Sequence, residues 1–359
     1  MAFSFGFSGD DIDIDESELH EEGVGSHTQN ESNALPALIP AQKHDIKEWL
    51  HTFPSQISYN KLSIDTSTST DGPLTLARRE VFDIRTQLMA EDTADHENEE
   101  LISGLEEGDI KPNFYEGGFK TWECALDLAK LVATEGFASR EYPQDLHIIE
   151  LGAGTAVPSL ALFAQLLSQA EPRGKTHFTF ADYNSAVLRL VTLPNLLLTW
   201  DYVVSRRQTV VPVDSAETPE EELDVTPELL ERFESDLAER GITVEFISGA
   251  WSPAFVDLVF ASVAPSQRST VVLASETIYA PASLLAFSET LLALLRRSTE
   301  NGGVSRALVA AKKVYFGVGG GVDEFLAVFR QVSGDGLEVK ERVDVKSEGV
   351  GRIVLEIAG

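Results

Sequence analysis

Beyond residue 113 the chain alternates short apolar runs with segments whose apolar residues recur every three or four positions. The runs 147–151, 177–181, 243–247, 271–274 and 306–311 read as buried strands, and 122–132, 157–167, 255–263, 283–296 and 323–332 read as helices. A further helix is expected from Asn184, a good N-cap residue, to about Trp200, disturbed where Pro194 removes an N–H and crowds the preceding turn. The stretches 337–345 and 352–357 alternate apolar and polar residues at strand period, joined by the short link 346–351. Strands alternating with helices imply a parallel sheet, and two closing strands with a short link must be antiparallel. The fold expected is therefore α/β: a doubly wound, Rossmann-like sheet, mostly parallel, with a C-terminal antiparallel hairpin.

The first third is organised differently. A short helix is expected over 41–50, then a turn at Pro54, a threonine- and serine-rich stretch over 65–70, and an amphipathic helix over 78–90. A second acidic patch at 91–107 marks the expected domain boundary. The division is a tail, 1–40, an extension with short helices, 41–110, and a main domain, 111–359. Within the tail, 9–34 is too acidic and too poor in apolar residues to fold alone. Phe3, Phe5 and Phe7 alternate with small residues, which suits either a sticky tail or a short motif that docks on the folded body or on a partner. Inside the main domain, 214–240 breaks the rhythm as an acidic insertion. Its helix should start at Thr226 and face solvent.

Charge narrows the partners. Lys and Arg number 28 against 58 Asp and Glu, a formal charge of −30. Such a field repels nucleic-acid phosphates and anionic lipid, and attracts basic proteins. The one cysteine, Cys124, excludes an internal disulfide and a cysteine zinc site, and no histidine has ligand spacing, so no metal is expected. No run of about 18 apolar residues reads as a membrane span, and acids stand where a signal peptide needs bases. A soluble, monomeric protein is expected.

The candidate chemistry begins at His147-Ile-Ile-Glu-Leu-Gly-Ala-Gly-Thr155. Glu150 ends a strand directly before Gly152 and Gly154, whose missing side chains let backbone approach a ligand. A dinucleotide site wants Gly or Ala where this chain has Val157, and no P-loop lysine follows. A carboxylate before such a loop suits a cationic, amino-acid-bearing ligand, S-adenosylmethionine. Asp182 ends the next strand, 182 − 150 = 32 residues on, and is placed to accept from both ribose hydroxyls. Trp251, after Gly249 and Ala250, is placed to lie against adenine; as a bare aromatic it would more often be core.

Five longer motifs accompany these residues: 114–123 (FYEGGFKTWE), 150–154 (ELGAG), 181–184 with 192–195 (ADYN, TLPN), 275–279 (SETIY) and 315–321 (YFGVGGG). Together with 78–83, 87–92 and the start FSFGF, they resemble the histidine protein methyltransferases, seven-strand enzymes that use S-adenosyl-L-methionine. The resemblance implies methyl transfer to an imidazole nitrogen of a histidine in a basic, large-subunit ribosomal protein, in the cytoplasm and nucleus. It implies that Trp122 and Glu123 cover the methionine end of the cofactor, with Asn184 and Ser275 in the same site. Glu276 is the first candidate to accept the ring N–H of the target, with Thr277 and Tyr279 assisting; equally, Glu276 would only support the 122–123 segment. Tyr315, Phe316, Gly317 and Gly319 would form a wall of the peptide site. A protein-lysine methyltransferase and a non-catalytic acidic chaperone are the rival readings.

Overall fold

The computed structural model describes residues 38–66, 73–91, 101–102, 117–137, 145–169, 174–206, 221–263, 268–300, 302–316, 319–346 and 349–359. In chain order the elements are β1 (Gln42–His44), α1 (Ile46–Leu50), β2 (Gln56–Ile64), β3 (Leu74–Arg79), α2 (Val81–Glu91), α3 (Glu123–Thr134), β4 (Asp145–Leu151), α4 (Val157–Leu167) and β5 (Thr176–Asp182). There follow α5 (Leu193–Arg206), β6 (Glu221–Asp224), α6 (Pro227–Glu239), β7 (Ile242–Ser248), α7 (Pro253–Ala261) and β8 (Arg268–Ser275). The chain ends with α8 (Leu284–Thr299), β9 (Val304–Lys312), α9 (Val322–Ser333), β10 (Glu338–Val345) and β11 (Arg352–Ala358).

Eight strands form the main sheet in the order β1-β7-β5-β4-β8-β9-β11-β10. The five strands from β7 to β9 are mutually parallel, whereas β11, β10 and β1 are antiparallel to their neighbours. This is the doubly wound sheet with a closing hairpin that the periodicity implies. Strand alternation sorts the core onto two faces. Ile148, Phe178, Phe180 and Phe246 pack with Leu128, Leu160 and Trp200 beneath α3, α4 and α5. Ile149, Leu151, Val272 and Val309 pack with Phe255, Phe287 and Phe325 beneath α7, α8 and α9. Burying one such aromatic or aliphatic side chain stabilises by about 1.5–3 kcal/mol.

The N-terminal third departs from expectation. The expected helix over 41–50 is β1 followed by the short α1, because Gln42, Lys43 and His44 pair with Ser248, Ile247 and Phe246 of β7. The expected helix over 78–90 begins only at Val81, since Arg78 and Arg79 end β3. A second, three-stranded antiparallel sheet, β3-β2-β6, was missed altogether. Its outer strands are six and four residues long, and the third member, β6, lies more than a hundred residues away in sequence. The division at 91–107 is not a boundary either: Leu38–Gly359 forms one compact unit, and Leu50, Ile64 and Leu76 belong to the same core cluster as β4.

The insertion 214–240 is likewise structural in its described part. Thr226 caps α6 by accepting from Leu229 N as expected, yet the helix is not merely solvated, because Phe233 and Leu237 are buried in the core. The 1–37 tail and its aromatic start lie outside the described residues.

Pro194 acts as expected but through a specific device. A helical turn, Ser185–Val187, passes into a π turn, Leu188–Thr192, before α5 begins. Proline cannot donate to the carbonyl four residues back, that of Leu190, and Arg79 Nη1 donates to it instead at 3.0 Å. The stretch Ser185–Ser205 is long and apolar enough to cross a membrane, but 72% of its most apolar window is buried inside the body.

Candidate active site

The carboxyl ends of β4, β5, β7, β8 and β9 share one edge of the sheet, and the candidate residues are strung along it. After Glu150 and Leu151 the chain turns sharply into α4, with Gly152 at φ +64°, Gly154 at +51° and even Ala156 at +56°. A side chain on Gly152 would meet the Thr277 methyl at 2.8 Å. Gly154 is pinned differently. A Cβ there would meet the Gly118 Cα at 3.1 Å, and Gly118 is itself left-handed at φ +110°. The Gly117-Gly118 loop therefore comes close to the glycine turn itself, backbone against backbone.

Glu150 is fully buried on the α4 side of the sheet. Its Oε2 accepts from Ser159 N at 3.1 Å, while its Oε1 is buried without a partner among the described residues. Burial, reinforced by the negative charge of Asp182 and opposed by the Ser159 contact, pushes the Glu150 carboxyl up to about 8. An orphaned carboxylate oxygen at a glycine turn is what an ammonium-bearing ligand would satisfy. Thr277 Oγ1 is a second buried oxygen without a partner among the described residues, beside the same turn.

Asp182 and Glu150 lie on neighbouring strands, on the same edge, as expected. Gly154 N donates to Asp182 Oδ2 at 3.0 Å and Asn184 N to Oδ1 at 3.2 Å, so the carboxylate is clamped by backbone at the mouth of the turn. Asn184 occupies the N-cap position of the turn 185–187 but makes no side-chain cap; it is held at 8% exposure beside Asp182. Ser275 closes β8 opposite Ala310 of β9.

Gly249 has a different reason from the one expected. A Cβ there would lie 2.4 Å from Pro40 O, and Ala250 N donates to Ile39 O at 2.8 Å. The room beside Gly249 is taken by the chain entering β1, not kept for adenine. Trp251 is partly buried, with its ring 5.1 Å from that of Phe287 on α8. It also lines an open groove of about 760 Å³ between α7 and α8.

At the other end of the edge, Glu276 stands at φ +57°, a conformation strained for a residue with a side chain. Its Oε1 accepts from Cys124 N at 3.3 Å and its Oε2 from the Tyr315 hydroxyl at 2.5 Å. Both oxygens are thus engaged by the protein, which gives Glu276 a supporting role at the start of α3 and at the Tyr315 loop. Tyr315 is 8% exposed, and its hydroxyl also accepts from Lys312 N, so it braces the β8 and β9 loops rather than walling a peptide site. Burial and the Glu276 charge raise its phenol above the ordinary range. Phe316, in contrast, is 79% exposed. Gly319 is left-handed with open space around it apart from Pro281, and Gly317 lies outside the described residues. The Tyr279 ring lies between those of Trp122, at 6.2 Å, and Tyr315, at 6.4 Å. Glu123 does not join them. Its exposed side chain faces Lys312 at 3.5 Å and Arg352 at 3.8 Å, an ion cluster over β9 and β11.

Several residues that hold the glycine turn carried no assigned role in the sequence. Thr192 Oγ1 donates to Gly154 O at 2.7 Å and Asn195 Nδ2 to Thr155 O at 3.0 Å; Asn195 Oδ1 accepts from Arg79 N. The signal was the TLPN motif, whose proline marked a disturbance of the helix but whose polar neighbours had no visible target. His147 and His177 are strand residues with rings 4.9 Å apart, and burial lowers His147 to about 3. Among the described residues no group of three or more His, Cys, Asp or Glu could hold a metal.

A doubly wound sheet closed by an antiparallel hairpin, with a carboxylate-led glycine turn and a second clamped carboxylate on the next strand, defines an S-adenosylmethionine-dependent methyltransferase. No family model matches the chain. Histidine protein methyltransferase 1 of Saccharomyces cerevisiae is 34% identical over 345 residues, covering 91% of this chain and 90% of its own. Its namesake in Schizosaccharomyces pombe is 33% identical over 98% of this chain and 92% of its own. The Bos taurus homologue is 30% identical over 72% and 57% respectively. This chain belongs to the histidine protein methyltransferase 1 family. Among solved structures, a precorrin-6Y C5,15-methyltransferase from Geobacter metallireducens aligns at 14% identity with a TM-score of 0.33, over 67% of this chain and 92% of that one. That likeness is too distant to carry the fold, which rests on the strand order.

Proposed function

We propose that this chain methylates one imidazole nitrogen of a histidine in a basic, large-subunit ribosomal protein. The observation that carries the reading is the identity with the Saccharomyces cerevisiae enzyme across nine-tenths of both chains. S-adenosylmethionine, when bound, supplies an electrophilic methyl group. The chain then has to hold the cofactor and align an imidazole lone pair with it, in line and at about 3 Å. No strong base is required, because an ordinary imidazole, pKa about 6.5, is largely neutral near pH 7.

In this reading Glu150 meets the ammonium of the cofactor through its orphaned Oε1, and Asp182 meets the ribose hydroxyls. Trp122 and Tyr279 flank the methionine end, and Glu276 is a positioning residue that ties the start of α3 to the Tyr315 loop. An acceptor for the second ring N–H of the target selects which nitrogen reacts. In this reading Tyr279, half-buried beside Trp122, serves as that acceptor, and the exposed aromatic Phe316 meets the incoming peptide. The charge of −30 supports a basic partner. Ribosomal proteins meet such an enzyme in the cytoplasm or the nucleus, and it would act as a monomer.

The test is incubation of the purified chain with labelled cofactor and large-subunit ribosomal proteins, followed by mass spectrometry of the modified residue. Label on one histidine is expected. Label on a lysine, or transfer that persists when the target histidine is replaced, would overturn the acceptor; absence of label on every ribosomal protein would overturn the partner.

A further inference from the structure

Arg78 is a cation near this edge that the site above leaves without a task. It ends β3 beside Arg79, but the two side chains diverge. Arg79 is 3% exposed and holds Asp83 at 2.6 Å. Arg78 Nε and Nη2 both donate to Asn60 Oδ1 at 3.2 Å, and Nη1 donates to Thr121 Oγ1 at 2.7 Å. Both partners are neutral. The nearest acid, Glu80, is taken by the Asn60 amide at 2.6 Å, so the asparagine stands between the two charges.

Among the described residues no carboxylate lies within ion-pair distance of Arg78, whereas Arg79, Arg189, Arg240, Arg297 and Arg352 each have one. In a chain with 58 acids against 28 bases, a partly buried arginine with only neutral partners is an unusual arrangement. A guanidinium has five N–H donors. The contacts above use three, and each terminal nitrogen keeps one. That leaves a fork of the shape a carboxylate takes in bidentate fashion.

The fork is one hydroxyl from the glycine turn. Thr121 Oγ1, which receives Arg78, lies 3.0 Å from Thr155 Oγ1, the residue that follows Gly154. Trp122, the next residue, opens α3. The amino-acid end of S-adenosylmethionine carries an ammonium and a carboxylate on one carbon. If Glu150 satisfies the first, Arg78, with free donors on the Thr121 side of the turn, is available for the second.

We propose that Arg78 binds the α-carboxylate of S-adenosylmethionine, held at the turn by Thr121. The inference rests on the cofactor assignment above and extends it to β3, an element outside the main sheet. It gives the second sheet a reason to be present: β3 delivers the anion-binding group of the site.

The experiment is calorimetric titration of the full chain, wild type, Arg78→Met and Arg78→Lys, with two ligands that share the adenosine. S-adenosylhomocysteine keeps the carboxylate; 5′-methylthioadenosine lacks the amino-acid end. Arg78→Met is expected to weaken S-adenosylhomocysteine by about tenfold to a hundredfold, the range for a hydrogen bond to a charged group, and to leave methylthioadenosine unchanged. Arg78→Lys should fall between, because it keeps the charge without the fork. Equal loss for both ligands, or no loss for either, would overturn the proposal. If Arg78→Met does not fold, the Arg78→Lys comparison decides by the same criterion. Failure of the wild type to bind either ligand would strike at the cofactor assignment instead.

Discussion

Glu150 is the side chain on which stability and binding pull in opposite directions. Its carboxyl is raised in the folded state to about 8, from an ordinary carboxylate value. A group raised on folding stabilises fully below its unfolded pKa and loses that contribution as pH climbs through the folded one. The unliganded protein should therefore lose stability between about pH 4.5 and 8, and Glu150→Gln should remove that slope while weakening S-adenosylhomocysteine binding. Thermal melts across that range, with and without ligand, check both. Glu276 makes a different prediction. Glu276→Ala strands the Tyr315 hydroxyl and the Cys124 N–H, and each unsatisfied buried group costs about 1–3 kcal/mol. Chemical denaturation should register the loss, and kcat should fall as the Trp122 segment loosens. Glu150 and the glycines were legible because a strand-end acid before glycine has few local explanations. The orphaned oxygen was not, since a partner's absence is a property of the packed site.

Among the elements, the helix α6 was legible as a helix and misjudged as a surface. Its N-cap and periodicity are local, but whether Phe233 meets solvent or Trp200 depends on where β6 pairs. Phe233→Ala should cost about 3–5 kcal/mol if the insertion is part of the core, and under about 1 kcal/mol if it merely decorates the surface. Equilibrium unfolding distinguishes these. β1 poses the same problem in miniature. Three residues, two of them exposed and His44 partly buried, form a strand only because the edge of β7 offers donors and acceptors, which no periodicity announces. Gly249→Ala, which sets a methyl 2.4 Å from Pro40 O at φ +104°, should detach that arm; increased amide exchange in β1 and at the β7 edge is the expected readout.

With the basic substrate proposed above, a body of charge −30 should capture its partner electrostatically. Raising ionic strength from about 50 to 200 mM shortens the screening length, so kcat/KM should fall while kcat stays flat; a salt-independent kcat/KM would remove steering from the account. The parallel core, its closing hairpin and the edge that carries Glu150 and Asp182 were readable from one chain, because strand and helix periods and the reach of a β-α unit are set by neighbours in sequence. What arose only on folding were pairings between distant segments: β2 with β6, β1 with β7, Arg78 with Thr121, Glu276 with Tyr315. Each joins groups whose local preferences are weak, so the choice is made by which edges and polar atoms remain unsatisfied once the main sheet has formed. That is why the cofactor was visible in a nine-residue motif, and the supports that hold its site were not.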